Sequence, residues 1–264
     1  MIATRIIPKE LLDIRRPQRM VERSITVYMA GWLTLVSGFF EPVFYLLSIR
    51  VGLSALIGEI EVNGQLIAYD AFVAPGLMAA SAMNGAVFDS TMNVFFKLKH
   101  VKLYDSVAAS PLSTGDIVLG EISFAVLRGA FYSTAFVLAM ALLGLVGSPW
   151  IVLSIPFAIL IGFAFSAAGF ACTTFMRSWA DFEYVPSITI PLFLFSTAFY
   201  PASSFGRWQF MLQINPLYHG VNLIRHANTG SFSWSTLAHV SVLLVVTVVG
   251  LTTATRRMKH LILD

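Results

Sequence analysis

The chain has 264 residues, of which 57% are hydrophobic and 12% charged, with a formal net charge of +3; a soluble domain carries roughly 25% charged residues. This excludes an ordinary soluble domain, and lipid is the solvent that suits such a composition. Cys172 is the sole cysteine, which excludes an internal disulfide and any cysteine-based metal site.

Residues 5–24 set Ile6, Leu11, Leu12 and Ile14 among Arg5, Lys9, Arg15, Arg16, Arg19 and Arg23. The pattern reads as an amphipathic helix on a membrane surface, with a solvated basic arm as the plainer alternative; both put residues 1–26 in the cytoplasm. Nine charges crowd the first 23 residues, with no short apolar core before a small-residue cleavage site, so a cleaved signal peptide is not expected. A first span follows over residues 27–49 and carries Glu41 beside Pro42. Residues 51–70 hold Glu59, Glu61 and Asp70, three glycines and no Lys or Arg, and read as an external loop.

The second span is expected at 71–95, with Asn84 and Asp89 inside it. Residues 97–116 form the longest cytoplasmic connection, with Lys97, Lys99 and Lys102 and a short helix-like stretch ending at Pro111. Between Arg128 and Arg177 lie 48 consecutive residues without a charge. Gly147-Ser148-Pro149 punctuates that stretch, so it reads as two spans joined by a tight turn, at 117–146 and 150–175. A short inner loop at 176–184 carries Arg177, Asp181 and Glu183.

A fifth span at 185–200 is interrupted by Pro186 and Pro191 and is expected to be short and bent. Residues 202–235 alternate aromatics with Pro216, Gly220 and Gly230, as an interfacial or re-entrant segment does. The sixth span, 236–255, ends in Arg256, Arg257 and Lys259. The expected fold is therefore all-α: one polytopic transmembrane domain over 1–264 with about six spans. The proposed inner segments carry six, three, one and three Lys or Arg residues, against Arg50, Arg207 and Arg225 outside. The positive-inside rule then puts both termini in the cytoplasm.

No G-x-x-x-x-G-K loop followed by Ser or Thr is present, nor G-x-G-x-x-G after a strand, H-E-x-x-H or G-x-S-x-G. The chain is thus not expected to be an enzyme or to bind a cofactor itself, and nucleic acid is not an expected partner. Charges inside spans cost about 2.5 to 3.5 kcal/mol each on insertion scales. Glu41, Asp89, Glu121 and Arg128 should therefore face protein, water or one another. Glu121 and Arg128 are seven apart, on one helical face, and are expected to pair.

Two segments carry a resemblance. Leu103-Tyr104-Asp105-Ser106-Val107-Ala108-Ala109-Ser110-Pro111-Leu112-Ser113, followed by Asp116-Ile117-Val118-Leu119-Gly120-Glu121, resembles the cytoplasmic segment after the second span of type-2 ABC transporter permeases. Phe195-Ser196-Thr197-Ala198-Phe199-Tyr200-Pro201, with Ile214-Asn215-Pro216-Leu217-Tyr218-His219-Gly220 and Leu223-Ile224-Arg225, is similar to that family's external loop before the last span. Residues 71–76, AFVAPG, resemble the nodulation-factor exporter branch.

The resemblance covers roughly the whole chain. It implies a permease in a bacterial plasma membrane that exports a glycolipid, a lipid-linked saccharide or an amphiphilic drug. It further implies a separate nucleotide-binding ATPase carrying ATP and Mg, and a second permease copy or a homologous permease. Residues 99–110 would then be the cytoplasmic peg that meets the ATPase, with Tyr104 and Val107 its apolar face and Lys99, Lys102 and Asp105 its polar contacts; Arg177 and Asp181 are the next coupling candidates. Phe195, Phe199, Trp208 and Tyr218 form either an outer gate or an interfacial belt. Two other classes stay open: an ion-coupled transporter using Glu41, Asp89 or Glu121, and a membrane assembly factor that transports nothing.

Overall fold

A computed structural model of the chain describes residues 17–30, 40, 43–62, 64–108 and 110–263. Glu41 lies outside them, as does most of the expected amino-terminal surface helix. Helix α1 spans Pro17–Ala30 and α2 spans Val43–Ile57. A two-stranded antiparallel hairpin follows, β1 Glu59–Val62 and β2 Gln65–Ala68, with Glu59 opposite Ala68 and Gly64 at φ +78° in its turn. Long helices α3 Tyr69–His100, α5 Thr114–Leu142, α6 Pro149–Thr173 and α9 Trp234–Leu263 make the body. Short helices α4 Leu103–Ala108, α7 Tyr184–Leu194 and α8 Pro216–Thr229 connect them.

The boundaries follow from local chemistry. Ser113 and Asp116 form a capping box at the start of α5: the Asp116 N–H donates to Ser113 Oγ at 3.2 Å, and the Ser113 N–H donates to the Asp116 carboxylate at 2.7 Å. Asn215 caps α8 by accepting the Leu217 N–H at 2.9 Å, Pro216 occupies its first turn, and Gly230 closes it in the left-handed region at φ +72°. Ser148 and Pro149 start α6 in the same way.

Among the described residues, four helices, α3, α5, α6 and α9, are long and apolar enough to cross a membrane. The expected first span, 27–49, lies partly outside the described residues; α2 continues eight residues beyond 49 to Ile57, and a hairpin stands in the expected loop. The expected fifth span shortens to α7, whose 11 residues rise only about 16 Å against a hydrocarbon core of about 30 Å. The chain leaves that helix at Leu194 and turns at Thr197, φ +65°.

Because α5 runs opposite to α3, α6 and α9, the helix ends define two faces. One face carries the hairpin, the 143–149 turn and α8. The other carries residues 97–113, 174–183 and the end of α9. Exposed Leu127, Leu138, Val245 and Val249 coat the sides of the bundle with apolar surface, as lipid requires, and exposed Trp150, Trp208 and Trp234 gather at the hairpin face.

Helix α6 is the packing centre, against α3, α5 and α9. Its Ala164 and Ala167 are fully buried. A Cβ on Gly250 of α9 would come within 2.6 Å of the Ala167 carbonyl carbon, so the two backbones touch there. Gly169 instead makes room for the Ser90 side chain of α3. Gly162 and Ser166 look from their four-residue spacing like a close-approach pair, and the structure divides their roles. A Cβ on Gly162 would meet only Val126 at an ordinary 3.8 Å, whereas Ser166 is buried and donates to the Ala86 carbonyl of α3 at 3.3 Å.

Gly250→Val should overpack the α6–α9 crossing and cost about 1 to 3 kcal/mol. Gly85→Ala, where a Cβ meets nothing within 4 Å, should be neutral or better. Thermal unfolding of the two purified variants, read by fluorescence-detected size exclusion, checks this; equal midpoints would remove α6 as the packing centre.

Candidate functional site

The charges that the sequence places inside the spans meet in two staggered pairs. Arg128 of α5 forms an ion pair with Asp89 of α3, both side chains nearly buried. The same guanidinium donates to Tyr28 Oη of α1 at 3.1 Å and lies 5.4 Å from that ring's centre. Asn93 completes the cluster, donating to Asp89 Oδ1 at 2.8 Å and to Tyr28 Oη at 3.3 Å. Nearer the inner loops, Lys97 Nζ donates to Glu121 Oε2 at 2.6 Å.

The expected Glu121–Arg128 pair is therefore not formed. Seven residues put two side chains on one face but about 10 Å apart along the axis, and each charge finds a closer partner on α3. The backbone of α3 opens into wider π-helical turns over Asp89–Asn93 and Phe96–His100. Asp89, Asn93 and Lys97 lie four residues apart along this stretch and share the side facing α5, and π-helical turns recur at functional sites. Tyr28, Asn93 and Lys97 were not legible as site residues. The one signal available was the four-residue spacing of Asp89, Asn93 and Lys97.

Residue 104 also departs from expectation. The Tyr104 ring is completely buried, packed with Met20, Val94, Ile117, Ile122, Phe170 and Met258. Its buried hydroxyl lies beside the buried Glu121 carboxylate. Burial first, and the nearby Glu121 carboxylate second, push the phenol well above its ordinary pKa. Tyr104 therefore anchors α4 to its own bundle instead of presenting a docking surface. Val107 is half-buried in the same cluster, while Lys99, Lys102 and Asp105 are exposed.

The two inner loops come together. Trp179 stacks on His100 with centroids 5.1 Å apart and meets Phe95 edge-on at 5.2 Å. Phe182 also meets Phe95, at 5.0 Å. Asp181 accepts the N–H groups of Arg177 at 2.6 Å and Ser178 at 3.0 Å. Those bonds hold its carboxyl below the usual carboxylate range.

Two apolar grooves flank α7, none of whose residues is buried. The first, of 540 Å³, runs from Arg177 and Asp181 past Phe165, Gly169 and Val246 to Pro216. The second, of 760 Å³, lies between Pro191, Phe195, Phe205, Trp208 and Met211. Ile188 and Leu192 line both. Of the four aromatics expected at the outer side, Phe195 and Trp208 share the second groove. Phe199 instead packs on Phe193 at 5.1 Å, and Tyr218 sits edge-on to His219 at 5.5 Å and His239 at 6.0 Å. Among the described residues no group of His, Cys, Asp and Glu could hold a metal ion.

Apolar spans, buried ion pairs between them and a short helix pegged beneath them mark a multi-pass membrane protein. Residues 18–229 match the ABC-2 type transporter family, and the chain belongs to it. Membership makes the chain a membrane subunit of an ABC transporter system in a bacterial membrane. It is 29% identical over 221 residues to nodulation protein J of Sinorhizobium fredii, covering 83% of each chain. It is 27% identical over 235 residues to nodulation protein J of Rhizobium leguminosarum bv. viciae, covering 88% of each. The Bradyrhizobium diazoefficiens protein of that name is 26% identical over 217 residues, 81% of each chain.

Removing one member of a buried pair leaves the other charge uncompensated. Arg128→Leu should destabilise the bundle by about 3 to 5 kcal/mol, and the double change Asp89→Leu/Arg128→Leu should recover most of that. Thermal midpoints in detergent measure both, and a double variant no better than Arg128→Leu would refute the pairing. Tyr104→Phe keeps the buried ring and should cost about 1 kcal/mol or less. Tyr104→Ala should cost about 3 to 5 kcal/mol through the cavity it leaves. Equal losses for the two Tyr104 variants would show that the hydroxyl, and not the ring, anchors α4.

Proposed function

We propose that the protein is the membrane half of an ATP-driven exporter that carries an amphiphile, such as a glycolipid, a lipid-linked saccharide or a drug, out of the cytoplasm. A separate ABC-type subunit supplies the ATPase site with its ATP and Mg, and a second copy or a homologous permease completes the path. The observation that carries this reading is the construction of α4. Its ring at Tyr104 is locked between α1, α5, α6 and α9, while Lys99, Lys102 and Asp105 stay exposed beside it. A push on the exposed rim is thereby delivered to the spans. The stacked His100–Trp179 contact joins the Arg177–Asp181 loop to the same rim.

Orientation follows from charge. Lys97, Lys99, Lys102, Arg177, Arg256, Arg257 and Lys259 gather at the α4 end, against Arg50, Arg207 and Arg225 at the hairpin end. The positive-inside rule supports a cytoplasmic α4 and cytoplasmic termini. An amphiphile would follow α7, its apolar part in the first groove and its exit past Phe195 and Trp208 in the second. Asp89 and Glu121 are each held by a cation, an arrangement that suits structural pairs better than the proton sites of an ion-coupled transporter.

The test is co-purification of the ATPase with the tagged permease, together with ATP turnover in the reconstituted complex. Lys99→Glu/Lys102→Glu should lower partner recovery about ten-fold by reversing rim charge, with the thermal midpoint of the permease unchanged. Glu61→Ala in the hairpin should do neither. Full recovery and turnover in the double reversal would move the coupling role away from α4. In a cysteine-less background, an impermeant thiol reagent should label position 61 in intact cells and miss position 102.

A further inference from the structure

At the hairpin face, a third cavity of 280 Å³ lies apart from the grooves along α7. Ser203, Asn222, Arg225, His226, Thr229 and Ser231 line it, with Phe72 forming one wall. Arg225 projects from α8 into the turn after α7. Its guanidinium lies 4.0 Å over the centre of the Phe72 ring and donates to the Thr197 carbonyl at 2.5 Å and to Thr197 Oγ1 at 3.3 Å. These bonds hold Thr197, a β-branched residue, in the left-handed region at φ +65°. The Nε–H is buried and has no partner.

Arg225 differs from the cations of the two buried pairs. Lys97 and Arg128 each meet a carboxylate, whereas no carboxylate among the described residues pairs with Arg225. Its cavity neighbours are hydroxyls, an amide and an imidazole. Thr236 Oγ1 accepts the Ser233 N–H at 3.1 Å and shares a further hydrogen bond with His226 Nδ1 at 2.9 Å. A cation, an amide and hydroxyls, with no carboxylate among the described lining residues, suit a ligand that brings negative charge.

We propose that this cavity is an outward-facing binding site for a phosphate- or sulfate-type oxyanion, with Arg225 as its charged anchor and Ser203, His226 and Ser231 as its polar rim. The site goes beyond the exporter reading: it depends on neither an ATPase nor a direction of transport. The oxyanion can belong to a lipid headgroup or be free in solution, and the experiment separates the two.

The full chain is purified in maltoside micelles free of phosphate and its thermal midpoint is followed. The probes are inorganic phosphate, against chloride at equal ionic strength, and phosphatidylglycerol, against a neutral galactolipid. Wild type should show a saturable rise with at least one anionic probe. Phosphate acting alone, or with phosphatidylglycerol, assigns the site to a small oxyanion group; phosphatidylglycerol acting alone assigns it to a lipid headgroup. R225Q should raise the half-saturating concentration at least roughly ten-fold. Because Arg225 also braces Thr197, S203D serves as the second variant. It offers the cavity a carboxylate of its own while leaving the bonds of Arg225 in place, and should abolish the response at an unchanged starting midpoint. No response in wild type, or an equal response in S203D, would overturn the site and leave Arg225 as a brace alone.

Discussion

In lipid the hydrophobic effect no longer drives helices together, so association depends on how closely backbones can approach and on hydrogen bonds between helices. Helix α6 meets that requirement on two sides. Gly250 of α9 lies against the Ala167 backbone, and Gly169 of α6 admits Ser90 of α3. On the α3 side, Thr173 Oγ1 donates to the Ser90 carbonyl at 2.9 Å and Ser166 Oγ to that of Ala86 at 3.3 Å. Those carbonyls border the π-helical turn over Asp89–Asn93. The hydroxyls of α6 thus tie it to the α3 backbone at the border of the wide turn.

Charge is buried where α3 faces α5. The four-residue spacing of Asp89, Asn93 and Lys97 keeps all three on the side of α3 that faces α5. Asp89 and Asn93 reach Arg128 and Tyr28, and Lys97 reaches Glu121. Helix α1 is recruited by the first pair through Tyr28. It is held further along by Met20 against Gly120, where a Cβ would also reach the Pro17 carbonyl at 3.2 Å. The Lys97–Glu121 pair lies directly over Tyr104, so the inner end of the bundle, α4 and α1 form one continuous body.

Much of this was legible in the sequence. The four long spans emerged from apolar length, and Gly147-Ser148-Pro149 marked the turn between two of them, whereas the caps at Ser113, Asn215 and Gly230 emerged only from the structure. The partners of buried charges were not legible. Seven-residue spacing put Glu121 and Arg128 on one face, but spacing within one helix says nothing about the cations and carboxylates that a neighbouring helix offers. Nor did it reveal that α3 changes its turn at Asp89. Tyr104 sits among charged residues, and only the packing showed that its ring points into the bundle. The anchoring of Arg225 on Thr197 depends on a turn whose left-handed residue is β-branched, which sequence rules argue against. The short α7 was anticipated from Pro186 and Pro191, while its early end at Leu194 was not.

Helix α7 stands apart from this body. It buries none of its residues and contains Pro191. It is fixed chiefly at its ends: the Asp181 cap at the inner end, and at the outer end Asn215 Nδ2, which donates to the Leu192 carbonyl at 2.7 Å. Local opening is easiest where few apolar contacts are buried, so α7 can shift against the bundle without breaking the ion pairs or the α6 crossings. Its inner anchor is in the Trp179 loop that stacks on His100, beside the exposed rim of α4. Displacement of that rim would therefore be felt both by the rigid body, through Tyr104, and by α7, through the loop. The two would move by different amounts because only one of them is tightly packed. A difference of that kind is what widening or closing the grooves along α7 requires.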